Sequence, residues 1–314
     1  MNQDPIFRVE NFGVSFSQYK RGTTKTEIEV ITNLDIELYS GKILAVVGSS
    51  GSGKSLLAHA IMGILPYNAN VRGKMYYKNK ILTAKAIEEL RGKEISLIPQ
   101  SVNYLDPLMK VGKQVESALP DRMLKKERKK QVETVFEKYG LVKEVYHYYP
   151  HQLSGGMARK VLLATATLAN SKIIIADEPT PGLDEVSLNE VLRDFRRITD
   201  EGAAVLMITH DVNAACEIAD QVAIFYAGST FEIANIEDMK GDGEALRHPY
   251  TKALQQAMPE KGFKPIPGTQ PIPGEVIKGC LFCDRCSQRN KRCEEERPEL
   301  RELRGGKVRC HYAS

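Results

Sequence analysis

The stretch KILAVVGSSGSGKSLLAHAIMGIL, residues 42–65, decides the fold. A short apolar run reads as a buried strand and leads into Gly48-Ser49-Ser50-Gly51-Ser52-Gly53-Lys54-Ser55, which fits G-x-x-x-x-G-K-[ST] in full. An apolar-faced helix leads out of it. Glycines let successive backbone N–H groups turn inward around phosphate oxygens. The helix N-terminus adds positive potential at the same place. Lys54 supplies a cation for the β- and γ-phosphates of ATP, and Ser55 a hydroxyl ligand for Mg²⁺. A flexible Gly/Ser turn before an ordinary helix is the plainer alternative. The strand and helix on either side weigh against it.

Upstream, FRVENFGVSF and EIEVITNLDIEL alternate apolar and polar residues, as strands of an antiparallel sheet do. Downstream, VRGKMYYKNKIL reads as a hairpin, and the pattern from about residue 85 to 168 is mostly helical. It includes RMLKKERKKQVETVFEKYGL, an amphipathic helix whose basic face reads as solvated surface. Buried strands return with KIIIAD, AVLMITH and QVAIFYAG, with helices between them. Strands alternating with helices predict an α/β fold with a mostly parallel core sheet covered on both faces. Beyond residue 259 a Pro/Gly-rich connector leads to a cysteine-rich tail.

The strand Ile173-Ile174-Ile175-Ala176 ends in Asp177-Glu178. Buried strands stop at charge because an unpaired buried carboxylate is costly, so plain strand termination is one reading. After a phosphate loop the two acids divide labour: Asp177 holds the Mg²⁺ shell, and Glu178 orients and deprotonates the attacking water. A second anion site is suggested by Leu153-Ser154-Gly155-Gly156-Met157, a small-residue turn opening an apolar helix.

This second motif resembles the signature of the ABC ATPase family. The resemblance covers about residues 6–240 and implies a P-loop NTPase with an N-terminal antiparallel subdomain and a helical signature subdomain. It further implies two subunits paired head to tail, so that Ser154, Gly155 and Gly156 close on ATP held by the other subunit. In the family pattern Gln100 is the Q-loop glutamine, near the γ-phosphate and Mg²⁺. Asp184, in Pro181-Gly182-Leu183-Asp184, belongs to the D-loop, and His210 is the switch histidine. Phe16 fits the position of the aromatic that stacks on adenine, with Tyr19 as the second candidate. Ala158-Arg159-Lys160 after the signature, Gly182 in the D-loop and Ser101 after Gln100 depart from the usual residues. None removes a group from the ATP chemistry.

Two features resemble the peptide and nickel importer branch: SVNYLDPLMKVGKQV after Gln100, and Arg247-His248-Pro249-Tyr250-Thr251. Residues 1–244 are then the ATPase domain and 245–314 a small cysteine-rich extension. Five of the six cysteines crowd into that tail, which in the cytosol suggests a metal site rather than disulfides. By resemblance Cys280, Cys286, Cys293 and Cys310 hold a [4Fe–4S] cluster. Cys283 makes a C-x2-C pair with Cys280 and keeps Zn²⁺ open as the alternative. Cys216, alone mid-chain, reads as a small core residue.

Forty-four basic against 40 acidic residues leave a net charge of +4, too small to argue for nucleic acid. No apolar run approaches the roughly 18–20 residues of a membrane span, and the N-terminus lacks a basic-then-apolar leader. The expectation is therefore a peripheral protein on the cytoplasmic face of the membrane. A single phosphate loop calls for a second ATPase subunit, in this branch commonly a different chain. Two membrane permeases and an extracellular solute-binding protein complete the expected machine. Soluble ABC ATPases of translation or DNA maintenance are the rival class, but they carry two ATPase halves or long coiled coils, and neither is present. A redox or zinc-ribbon module grafted onto the motor is a third reading, for the tail alone.

Overall fold

The structure is a computed structural model that describes residues 4–19, 25–49, 51–275 and 277–314. In chain order the first half runs β1 (Phe7–Tyr19), β2 (Lys25–Leu38), β3 (Ile43–Gly48), α1 (Lys54–Ile61), β4 (Ala69–Tyr77), β5 (Lys80–Ile81), α2 (Ala84–Leu90), β6 (Ile95–Ile98), α3 (Val111–Glu116), α4 (Lys125–Lys138) and α5 (Gly155–Leu168). There follow β7 (Ile173–Asp177), α6 (Glu185–Asp200), β8 (Ala204–Thr209), α7 (Val212–Ile218), β9 (Gln221–Tyr226), β10 (Ser229–Asn235), α8 (Ile236–Lys240), α9 (Pro249–Gln256), α10 (Lys291–Glu295), β11 (Arg301–Leu303) and β12 (Gly306–Val308). The chain divides into two compact units, one from residues 1–39, 44–82 and 209–314, the other from 40–43 and 83–208.

In the first unit β1 pairs antiparallel with β2 and with β4, as the alternating pattern predicts. FRVENFGVSF lies within one long strand. Register shifts near Asn11, which sits at φ 46, absorb the break in alternation. The predicted hairpin is present: β4 turns into β5 through Lys78 and Asn79, both left-handed. The fully buried β3 runs parallel to β9, and β9 pairs antiparallel with β10. From the tail, β12 adds antiparallel to β10, and β11 pairs with β12.

In the second unit β6, β7 and β8 form a parallel set. β7 and β8 are buried along their whole lengths, as strands covered on both faces must be. Helices α3, α4 and α5 pack with one another beside them. Helix α4 starts at Lys125 rather than at Arg122. Residues 120–123 form a turn closed by Met123 N–H on the Pro120 carbonyl at 3.1 Å, and Arg128 donates to that same carbonyl at 3.0 Å.

Candidate active site

The first unit carries the phosphate loop. β3 delivers Gly48 and the exposed Ser49, and α1 begins at Lys54. Gly51 and Gly53 lie at φ 76 and 95, a region that glycine enters without a Cβ clash. The Lys54 ammonium is buried and donates to the carbonyls of Gly48 and Ser49 at 2.8 and 2.9 Å. It is thus held across the mouth of the loop. Ser52 is buried too, and its hydroxyl has no hydrogen-bond partner among the described residues. Ser55 is half-buried in the first turn of α1, and Ser50 lies outside the described residues.

Phe16 and His210 belong to the same unit. Phe16 is half-buried and faces Ile28 across the β1–β2 pair, whereas Tyr19 is 74% exposed at the strand end. His210 is exposed directly after β8. Asp211 follows it at the start of α7. Its carboxylate accepts from Ala214 N–H at 3.0 Å and caps α7.

The second unit carries Gln100, the signature, the acid pair and Asp184. Asp177 and Glu178 are both buried at the end of β7. Glu178 adopts φ 47, and its N–H donates to the Ile208 carbonyl at 2.8 Å. A non-glycine residue in the left-handed region is uncommon and clusters at functional sites. Ser154 caps α5, its hydroxyl accepting from Met157 N–H at 3.2 Å. The hydroxyl proton stays available to an anion at the same helix start. Asp184 caps α6 through Ser187 N–H at 2.9 Å and the Ser187 hydroxyl at 3.0 Å. Those donors hold its carboxyl below the usual range. Gln100 is exposed just past β6.

One connection was not predicted. Arg159, on the signature helix, donates to the backbone carbonyls of both Pro179 and Pro181. It ties α5 to the segment that joins Glu178 to Asp184. Its guanidinium is partly desolvated, which lowers its pKa. Sequence offered only an unexpected Arg-Lys pair at this position.

All five tail cysteines line one small pocket together with His248 and His311. Burial raises the Cys280 thiol to about 12, and the neighbouring Cys310, Cys293 and Cys286 add to the rise. Among the described residues, however, no group of three or more His, Cys, Asp or Glu is placed to hold a metal ion. Cys283 is buried and Cys280 half-buried. Cys216 is half-buried rather than a core residue.

Residues 31–181 match the ABC transporter family, and residues 231–293 match the oligopeptide/dipeptide transporter C-terminal region. The dipeptide transport ATP-binding protein DppD of Bacillus subtilis is 36% identical over 313 residues, covering 94% of this chain and 90% of that protein. This chain is an ABC transporter ATP-binding protein. The oligopeptide transport ATP-binding protein OppD of Escherichia coli is similar at 33% identity, covering 98% of this ABC protein and 93% of the relative. Among solved structures, a dimeric bacterial ABC transporter cassette matches with TM-score 0.63 and 26% identity, over 73% of this chain and 98% of its own. The same cassette dimer in a post-hydrolysis state, bound to ADP and Pi, matches equally well. The ABC ATPase fold and enzyme class thus stand as the sequence predicted. No helix among the described residues is long and apolar enough to cross a membrane.

Proposed function

We propose that this ABC ATPase drives uptake of di- or oligopeptides. The observation that carries the reading is likeness along nearly the whole chain, tail included, to dipeptide and oligopeptide transport ATP-binding proteins. Gly48, Ser49, Ser50, Gly51, Ser52 and Gly53 surround the phosphates, and Lys54 neutralises them. Ser55, Gln100 and Asp177 hold Mg²⁺. Glu178 takes the proton of the attacking water, and His210 steadies the γ-phosphate. Phe16 stacks on the base. Ser154, Gly155, Gly156 and Asp184 act across the interface with a second ATPase chain, whose own signature completes this chain's site. Binding of ATP draws the two chains together, hydrolysis separates them, and two permease subunits on the cytoplasmic face of the membrane follow that motion. A solute-binding protein outside delivers the peptide.

We further propose that Cys280, Cys286, Cys293 and Cys310 hold a [4Fe–4S] cluster, as the resemblance implies. What supports this reading is the family spacing of these four cysteines and the pocket they share. When bound, such a cluster would supply a redox-sensitive structural cross-link for residues 280–310. Anaerobic purification should yield iron and acid-labile sulfide in a ratio near one, and Cys286→Ser should lose both. Iron-free protein from anaerobic cells would remove the cluster from this reading.

Deletion of the gene, followed by uptake assays with labelled dipeptides, oligopeptides and Ni²⁺, tests the transport role. Loss of peptide uptake, restored by wild type and not by Lys54→Ala, is the expected result. Selective loss of Ni²⁺ uptake would move the cargo to nickel.

A further inference from the structure

We propose that residues 270–275 of the C-terminal extension form a wall of the nucleotide site and contact the nucleoside half of bound ATP, with Ile272 as the specificity-determining side chain. The proposal rests on the reading of residues 48–55 as the phosphate site. It begins from a cleft of about 370 Å³ whose lining includes Gly51 and Ser52 of the phosphate loop, Val30 and Thr32 of β2, and Ile272 and Gly274 of the extension. The buried Ser52 hydroxyl, without a partner among the described residues, belongs to this lining. A buried polar group left unpaired is costly, and a ligand in the cleft would satisfy it.

The segment is held in place at several points. Ser49 and Gln270 are joined side chain to side chain, directly linking the phosphate loop to the extension. Gly274 N–H donates to the Glu29 carbonyl of β2 at 3.0 Å. A turn closed by Glu275 N–H on the Ile272 carbonyl at 3.0 Å sets Gly274 at φ 88. A Cβ there would lie 3.0 Å from Ile28 Cγ2, so the turn packs on Ile28. Ile28 is the cross-strand neighbour of Phe16, and directly paired residues share a face of the sheet. The turn therefore sits on the face that carries the aromatic expected to meet adenine. Upstream, Arg285 holds the Pro267 and Ile266 carbonyls at 2.7 and 3.1 Å. Downstream, Arg297 holds the Ile277 carbonyl at 2.8 Å.

The chemistry of the lining identifies the occupant. Among the described residues of the lining, Glu27, Glu29 and Glu275 outnumber the single basic residue Arg297, so a further anion is disfavoured there. Carboxylates instead accept from ribose hydroxyls. Ile272 is 76% exposed at the rim and offers an apolar surface for a base to cover. Phosphates take the backbone amides and Lys54, and the sugar and base take this cleft.

The test uses the full-length chain and two probes, a non-hydrolysable Mg·ATP analogue and Mg·tripolyphosphate, titrated by calorimetry. Ile272→Asp should weaken the ATP analogue about tenfold and leave tripolyphosphate unchanged. Gly274→Val, which cannot keep the turn against Ile28, should show the same selective loss. Thermal melts of both variants should match wild type, which separates local loss from unfolding. Unchanged affinity for the ATP analogue in both variants overturns the proposal. So does a gain in affinity, which would make the segment an obstructing lid, and so does equal loss of both probes. Lys54→Ala should lose both probes. If it binds both as wild type does, the phosphate-site reading fails, and that failure is distinct from the failure of the wall.

Discussion

Glu178 shows what one residue contributes. It is buried directly after a fully buried strand, and its backbone is held at φ 47 by an N–H bond to β8. Left-handed backbone costs a side-chain-bearing residue on the order of 1–2 kcal/mol relative to right-handed backbone. The fold retains that cost at the acid proposed to deprotonate water. Glu178→Gln keeps shape and hydrogen-bonding reach but removes the base. Turnover should fall by roughly 10²–10⁴-fold while Mg·ATP affinity holds, measured by phosphate release and by equilibrium binding. Hydrolysis at the wild-type rate would take the base role from Glu178. Its place at the end of a buried strand was legible in the sequence, because a charge ending an apolar run is visible one residue at a time. Its backbone conformation was not, since that depends on the Ile208 carbonyl of another strand.

At the scale of elements, Arg247 joins the tail to the ATPase sheet. It is buried against Glu232 of β10 at 3.2 Å and Asp238 of α8 at 2.9 Å. It also donates to the Leu303 carbonyl at 2.6 Å and to the Arg304 carbonyl, both in the β11–β12 hairpin. Glu232 in turn accepts from the N–H groups of Arg247 and His248 at 2.9 and 2.8 Å. Removing one partner of a buried ion pair leaves the other charge uncompensated, so Arg247→Ala should cost about 3–5 kcal/mol in denaturant unfolding. A loss below about 1 kcal/mol, the range of exposed pairs, would mean that water reaches Glu232. Here the sequence was only half legible. The run Arg247-His248-Pro249-Tyr250 stood out by resemblance, while its physical work lies against the β11–β12 hairpin, whose three-residue strands are too short to show any period. The long strands β1 and β2 and the buried β7 and β8 were readable because alternation or continuous apolarity repeats along them. The placement of residues 270–275 beside the phosphate loop was not readable at all, because 221 positions separate Ser49 from Gln270.

For the whole molecule, the decisive count is one phosphate loop and one signature per chain. The loop belongs to one compact unit and the signature turn to the other. Ser154 caps α5 by accepting from Met157 N–H, and what its side chain offers a phosphate is its one hydroxyl proton beside a helix N-terminus. Such a site is weak alone, and in the proposed arrangement it acts on a nucleotide already held by lysine and Mg²⁺. Two losses should then separate. In the isolated chain Lys54→Ala should abolish Mg·ATP binding, and Gly156→Asp should leave it unchanged. In the assembled transporter Gly156→Asp should suppress hydrolysis by setting a carboxylate against the γ-phosphate of the partner's ATP, where like charges repel. Equilibrium binding on the isolated chain and phosphate release from the assembly read the two effects. Weakened ATP binding in isolated Gly156→Asp would mean that the signature serves its own chain's nucleotide, and the head-to-tail arrangement would have to be abandoned.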